Sequence, residues 1–560
     1  MQEKLAQAKA LHQQGQLREA VRLYQEILQD DPACAEALHS LGVAALQAGQ
    51  AGQAAKLIKR ALDVSPAEAA YWGHFGIALT QLNRLDEAIA AYTRAIELNP
   101  RNAEALSNLG NTLQRQGRLD QAVQVYRLAM KVAPRYAQAA YNLGIALKAK
   151  GSLTEAAQAY RTAVAVKPDY DRALTNLGNV LQELGEFEDA IAAYRRAVEI
   201  NPRLARGHAN LASLQLEMGA LEAAMSGYER ALELDPDDAD TRYNLAQALL
   251  LQGRFGEGWD AQESRWQSTQ LADQARHFSQ PTWEGEDLAG RSLLVWAEQG
   301  VGDQVQFAGL LSELEGRGGP VQVDCDARLV PLFRRSFPAM TFEPRPKTAA
   351  DHPGFDAFDC QIAMGSLGRL LRRAESDFPR HEGYLLPDPT LAQDLAGRLR
   401  SEARGRTLVG LSWGSRGGRT GKARSAPLQQ WAPILDREDC CFVNLQYGAA
   451  TDELAAVREA LGVEVLALPE VDPLRDLDGF AALIAALDLV ITVGNSTAHL
   501  AGALARPTWV MLPLVPSWRW LLAREDSPWY PAARLFRQER RGDWSAVVGR
   551  IAEALGRFEP

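Results

Sequence analysis

Proline stands at Pro32, Pro66, Pro100, Pro134, Pro168, Pro202 and Pro236, always 34 residues apart. A period of that length constrains the architecture more than any other feature. Each unit is a short helical pair that cannot bury its own apolar face, so the units must stack into a solenoid. Other positions hold the same phase. Ala20, Ala54, Ala88, Ala122, Ala156, Ala190 and Ala224 recur on one helix, and Gly42, Gly76, Gly110, Gly144 and Gly178 on its partner. Gly15, Gly49, Gly117, Gly151, Gly185, Gly219 and Gly253 mark the turn between them. The small residues allow close helix approach. Tyr92, Tyr126, Tyr160, Tyr194 and Tyr228 are expected to fill the space between neighbouring repeats. Proline is expected in the first turn of the next helix, where its missing N–H costs nothing.

These positions together resemble the tetratricopeptide repeat. Seven clear repeats cover 1–238, and a degenerate eighth runs from about 239 to 270. The eighth keeps "YNLAQALLLQGRF" but carries Trp259 and Trp266, which reads as a cap joining the solenoid, 1–270, to another domain. Asn108, Asn142, Asn176, Asn210 and Asn244 share one phase on successive first helices. Equal phase in a solenoid makes a ladder, and an amide offers both a donor and an acceptor, as a peptide group does. Such a row can grip an extended polypeptide, or each Asn can simply bond locally. The repeat region of the nucleocytoplasmic O-linked N-acetylglucosamine transferases is similar, which implies a peptide-binding ladder.

At 560 residues the chain needs two to four domains. A net charge of −10 with no basic bias argues against general nucleic-acid binding. The near-apolar run Phe480 to Val493 is interrupted by Asp488 and is too short to span a membrane. The amphipathic start "MQEKLAQAKALHQQ" lacks a signal-peptide core. Five cysteines without metal-site spacing read as free thiols in a reducing cytoplasm, with neither metal nor cofactor expected.

From Arg291 the period disappears. Apolar runs "SLLVWAE", "VQVDCD", "FDCQIAM", "TLVGLSW", "CCFVNLQ", "VEVLALP", "LVITV" and "TWVMLP" alternate with helical patterns. This argues for parallel sheets covered on both faces. The expected division is a linker over 271–290, an α/β lobe over 291–385, a connection over 386–406, and a second lobe with a closing helix over 407–560. The fold class is therefore an all-α repeat solenoid followed by a two-lobed Rossmann-like region. "LLVWAEQGVGDQVQFAGLL" and "DLDGFAALIAALDLVITVGNSTAHLAGALARPTWVMLP" resemble the two signatures of heptosyltransferase-related enzymes. "LSWGS", "NLQYG" and "SPWYPAARLFRQ" add to the likeness with the bacterial branch in which tetratricopeptide repeats precede such a domain. The resemblance implies the GT-B glycosyltransferase architecture, with a nucleotide-sugar donor and no metal.

"VITVGNSTAHLAGALARP" is a strand, a short polar turn and a helix of small residues. Asn495, Ser496 and Thr497 stand at the helix start, where free N–H groups and the helix dipole favour an anion. His499 could donate to a phosphate oxygen. The alternative is a plain N-cap with His499 bonded in the core. In the resembled family this turn binds the donor phosphate, but an acidic residue usually stands where this chain has Gly494. "WGSRGGRTGKARS" reads as a pliant basic loop in which Arg416, Arg419, Lys422 and Arg424 supply charge. Arg419 and Lys422 are the chosen candidates to neutralise a leaving phosphate, against a solvated surface loop. In "EQGVGD", Gly300 and Gly302 permit a tight bend and Asp303 stands at a helix start. The resemblance assigns Asp303 as the base acting on an acceptor hydroxyl; an N-cap is the alternative. Gln446 and Tyr447 of "NLQYG" are placed by the same likeness against the nucleotide base. "VPSWRWLLAREDSPWYP" is given no catalytic role.

The resemblance thus implies inverting transfer of a sugar from a nucleotide donor to Ser or Thr of a polypeptide held by the repeats, with flagellin the first candidate acceptor. Two alternatives stand beside it: a repeat scaffold with an inactive transferase-like domain, and a transferase acting on lipopolysaccharide or another glycan. Repeat superhelices of this kind can dimerise, which leaves a homo-oligomer open.

Overall fold

The computed structural model describes residues 1–345, 357–415, 418–448 and 450–560, with 418–420 described by backbone alone. The chain divides into two compact units, Met1–Leu211 and Ala212–Pro560.

The first unit is a series of helical hairpins such as Ala103–Arg115 with Leu119–Val132. Gly117, at φ +76°, turns the first helix into the second, and Gly15, Gly49, Gly151 and Gly185 do the same. Where the third repeat lacks glycine, Asn83 takes the slot at φ +59°, a conformation Asn tolerates better than most residues. The recurring tyrosines of this unit, expected to fill the space between neighbouring repeats, pack on the glycine of their own hairpin. Tyr126 packs on Gly110 of its own hairpin, so closely that a Cβ there would sit 2.5 Å from the ring. Tyr160 on Gly144 and Tyr194 on Gly178 repeat this spacing. The prolines also differ from expectation. Pro32 lies in the turn, three residues before the Ala35–Gln47 helix, and Asp31 ahead of it is extended at φ −136°, ψ 90°. Proline here stops the preceding helix by excluding helical geometry from the residue before it.

The second unit begins within the Ala205–Glu217 helix, so the boundary is not at residue 270. The Ala239–Leu251 and Phe255–Gln262 helices belong to it. Trp259 is buried, donates from Nε1 to the Arg372 carbonyl at 2.9 Å and meets Trp518 edge-on at 5.2 Å. Residues 271–290 are not a free linker either. Trp283 is fully buried, and its N–H donates to the Gln361 carbonyl at 2.9 Å.

Two parallel sheets follow. The first contains β1 (Leu293–Trp296), β2 (Val321–Cys325), β3 (Thr341–Pro344) and β4 (Cys360–Ala363) in the order β3-β2-β1-β4. The second contains β5 (Thr407–Ser412), β6 (Cys440–Asn444), β7 (Val465–Leu466), β8 (Leu489–Val493), β9 (Thr508–Leu512) and β10 (Ala533–Arg537) in the order β10-β9-β8-β5-β6-β7. All pairings are parallel, as continuous burial of Leu489–Val493 and Thr508–Leu512 requires. The eight apolar runs are all strands. β3 and β10 were not expected from the sequence, because "TFEP" and "ARLFR" are short and interrupted by charge or proline. The connecting segment holds a 15-residue helix, Pro389–Ala403, capped by Asp388. Strand order reverses between β1 and β4 in one sheet and between β5 and β8 in the other. Ligands of open parallel sheets lie beyond the strands' carboxyl ends at such points.

Candidate functional site

A cleft of about 390 Å³ opens there. The turn after β1 supplies Gly300, Val301, Gly302 and Asp303, and the turn after β8 supplies Gly494, Asn495, Ser496 and His499. The Val301–Ala308 and Ser496–Ala503 helices start at this cleft, and their first turns touch. A Cβ on Gly302 would lie 3.1 Å from His499 Cδ2 and 3.4 Å from Ser496 Cα. Glycine therefore lets the two helix N-termini approach, and both dipoles favour an anion between them. Arg328, Arg424 and Arg519 line the cleft, with Asp303 the carboxylate among the lining residues. Arg328 is held from behind by Asp326 at 2.7 and 2.8 Å.

Asp303 caps the Val301–Ala308 helix and lines the cleft. Its Oδ2 accepts the Gly300 N–H at 3.0 Å, closing the helix start, and its Oδ1 is ion-paired with Arg519. Arg519 stacks on Trp518, its guanidinium carbon 4.5 Å from the ring centroid.

The β8 turn is more occupied than expected. Asn495 Oδ1 accepts from the Thr497 and Ala498 N–H groups at 3.0 and 3.3 Å, and from Thr492 Oγ1 at 3.1 Å. Its Nδ2 donates to Ser412 Oγ and the Gly414 carbonyl, both at 2.9 Å. Asn495 is thus an N-cap that also ties β8 to the end of β5. Thr497 is fully buried with its hydroxyl toward Ser412 at 3.4 Å. Of this turn, Ser496 and His499 present side chains to the cleft without being consumed by the cap. His499 is 7% exposed, stacks on Trp520 with centroids 5.3 Å apart, and meets the Tyr530 hydroxyl through Nδ1 at 2.9 Å. Burial, with Arg519 and Arg424 nearby, lowers its pKa to about 3.

The basic segment is not a pliant loop: Gly418–Arg424 is a helix. Lys422 on it is exposed and lies outside the cleft lining, whereas Arg424 reaches the cleft. Burial, then Arg519, holds the Arg424 guanidinium below its usual range. Arg416 and the Arg419 side chain lie outside the described residues. Gln446 does not face a base in the main cleft. Its Oε1 accepts the Trp413 and Gly414 N–H groups at 2.9 and 2.7 Å, shaping the turn after β5. Tyr447 lines the cleft. Arg424 and Arg519 are the cations that the choice of residues by sequence passed over. The aromatic segment carrying Arg519 held the signal, but only folding brings it to Asp303.

Four of the five ladder asparagines hold side-chain hydrogen bonds within the protein. Asn142 is buried; it donates to Asn111 Oδ1 at 2.9 Å and accepts from Gln138 at 2.8 Å. Asn210 donates to Asn179 Oδ1 at 3.0 Å, and Asn176 to the Tyr141 hydroxyl at 3.2 Å. In the second unit Asn244 accepts from Gln270 at 3.1 Å. Among the described residues, Asn108 makes no side-chain hydrogen bond. Local bonding therefore accounts for most of the repeated amides.

Comparison with known proteins bears on the repeats. Residues 216–253 match the model of the TPR repeat. The helical hairpins are tetratricopeptide repeats. Residues 1–214 match the model described as the cilia and flagella-associated protein 70 C-terminal domain. Protein FlbA of Caulobacter vibrioides is 39% identical over 325 residues, covering 55% of this chain and 54% of FlbA. The chain thus spans about half the length of the curated relative it matches. Similar solved structures include MamA, 26% identical with a TM-score of 0.28 over 29% of this chain and 94% of MamA. PilF of Pseudomonas aeruginosa is 21% identical with a TM-score of 0.33, covering 36% of this chain and 92% of PilF. A repeat solenoid points to peptide or protein partners. No described helix is long and apolar enough to cross a membrane.

Proposed function

We propose that the chain is a GT-B-type glycosyltransferase that moves a sugar from a nucleotide donor to a hydroxyl of a polypeptide held by the repeats, with flagellin the first acceptor to test. The observation that carries this reading is the convergence of two helix N-termini and three arginines on one cleft at the carboxyl ends of two parallel sheets. Its volume suits a small ligand. In this reading Arg519 and Arg424 take the nucleotide phosphates and stabilise the charge left on them as the glycosidic bond breaks. Arg519 then leaves Asp303, freeing Oδ1 to accept the proton of the attacking hydroxyl. The polypeptide lies along the repeats, with Asn108 contributing an uncommitted amide.

Thermal unfolding of the full chain with CMP, UDP, GDP or ADP tests the donor site, because a ligand of the native state raises its stability by mass action. One nucleotide should shift the melt. Arg424→Ala should weaken its binding roughly tenfold or more, while Lys422→Ala leaves it within about twofold. No shift with any nucleotide would overturn the reading. A second reading, nucleotide binding without turnover, is favoured by the full engagement of both Asp303 oxygens. It predicts a melt shift but no sugar release or transfer.

A further inference from the structure

Among the described residues four tryptophans are fully buried: Trp259, Trp283, Trp431 and Trp520. An indole N–H only donates, and a buried one normally finds an acceptor. Trp259, Trp283 and Trp431 do so, on the carbonyls of Arg372, Glu286 and Ala426 at 2.9, 2.9 and 3.0 Å. Trp520 lines the cleft, and its Nε1 has no hydrogen-bond partner among the described residues. Nor is that nitrogen sealed in, as Trp529 Nε1 is. Nε1 faces the turn after β8. It is the nearest atom to where a Gly494 Cβ would lie, 3.1 Å away, so glycine keeps the space beside the N–H open to the cleft. The indole is also held in place. It stacks on His499 with centroids 5.3 Å apart and meets Tyr530 at 5.9 Å. Leu521 behind it has φ +52° and ψ −168°, close to a region essentially reserved for glycine. Arg537 pins that backbone, donating to the Trp520 and Leu521 carbonyls at 2.6 and 3.0 Å and to the Arg524 carbonyl at 2.9 Å. Strained backbone persists where its surroundings over-determine it, and such places cluster at ligand sites.

We infer that Trp520 is a ligand-contact residue, its indole N–H donating to a phosphate oxygen of the molecule that occupies the cleft. The neighbours decide the chemistry of that acceptor. Arg328, Arg424 and Arg519 line the same cleft, and the Ser496–Ala503 helix starts there, so an anion is favoured. Asp303, the carboxylate among the lining residues, is already held by the Gly300 N–H and by Arg519 and does not serve the indole. The donor left without a partner is therefore completed by the ligand, and its bond is gained only when the ligand binds. The contact stands on this chain's own geometry. That the phosphate belongs to a nucleotide rests on the glycosyltransferase reading.

Nitrogen-15 spectra of the full chain with labelled tryptophan read the indole N–H groups directly. The Trp520 signal is assigned by its loss in Trp520→Phe and, in the wild type, by cross-relaxation with the His499 ring. Without ligand, its proton should exchange with solvent at least about tenfold faster than those of Trp259, Trp283 and Trp431. Inorganic pyrophosphate, or one of CMP, UDP, GDP and ADP, should move the signal downfield and slow that exchange. A slowly exchanging Trp520 in the free protein would overturn the inference. So would a phosphate ligand that shifts the melt but leaves the signal unmoved, or no response of the signal to any of these ligands. If pyrophosphate moves the signal and no nucleotide does, the contact stands and the nucleotide reading falls. Trp520→Phe keeps an aromatic ring over His499 and removes the donor. Calorimetry should show it to bind the responding ligand about five- to tenfold more weakly, and unchanged affinity would overturn the inference.

Discussion

The Arg265 guanidinium lies against the Glu298 carboxylate in a bidentate pair, Nε to Oε2 at 2.9 Å and Nη2 to Oε1 at 2.8 Å. Both side chains are buried, at 0% and 1% exposure. Arg265 follows the last repeat helix, and Glu298 opens the turn that carries Gly300 and Asp303. Glu298 also accepts the Gly365 N–H at 3.1 Å, and Arg265 donates to Ser366 at 2.7 Å. The capping helices are therefore bonded into the base of the cleft.

Removing one partner of such a pair leaves a buried charge unmatched. Arg265→Met should destabilise the second unit by about 3–5 kcal/mol, seen as a lower urea midpoint. Arg265→Met with Glu298→Leu should recover part of that loss, because neither charge is then stranded. For the same reason, a chain that begins at residue 271, with Glu298 but without Arg265, should fail to fold, judged by the absence of a cooperative unfolding transition.

The transferases that the sequence resembles usually carry an acid where this chain has Gly494, and the surroundings of Gly494 leave no room for one. A Cβ would sit 3.1 Å from Trp520 Nε1 and 3.3 Å from Leu512 Cδ2. Gly494→Asp should cost about 1–3 kcal/mol and displace Trp520, which tryptophan fluorescence and denaturant titration together would register.

The buried, neutral His499 makes stability depend on pH. Its folded pKa of about 3 lies below the unfolded value near 6.5, so between these limits the unfolded chain binds the extra proton. The stability present above pH 6.5 is then lost as pH falls toward 3. Wild type should lose stability relative to His499→Phe by up to about 1.4 kcal/mol per pH unit in that window. Parallel denaturation curves for the two proteins at several pH values would show the difference shrinking on acidification.

The repeated asparagines should not respond alike. Asn142→Ala removes hydrogen bonds to Asn111 and Gln138 within a buried site and should cost about 1–2 kcal/mol. Asn108→Ala should stay within about 0.5 kcal/mol, and any effect it has should appear in peptide affinity. Thermal melts and peptide titrations of the two variants separate these outcomes.

What the chain determined by itself is whatever repeats or runs continuously. The 34-residue period specifies helical hairpins because each repeat depends on local sequence and its neighbours. The eight apolar runs become parallel strands because continuous burial suits no exposed element. Even the glycine turns follow from the period, since most sit at a positive φ that other residues avoid. Tertiary structure alone decided which polar groups remain available. Asn495 and Gln446 have the chemistry of ligand contacts but spend their hydrogen bonds on the turn after β5. Lys422 and Arg424 are two residues apart on one short helix, yet only Arg424 reaches the cleft. Arg519 meets Asp303 from more than 200 residues away in the chain. Hydrogen-bond capacity is a property of a residue type and can be read from sequence. Its allocation depends on which distant backbone groups folding brings within 3 Å.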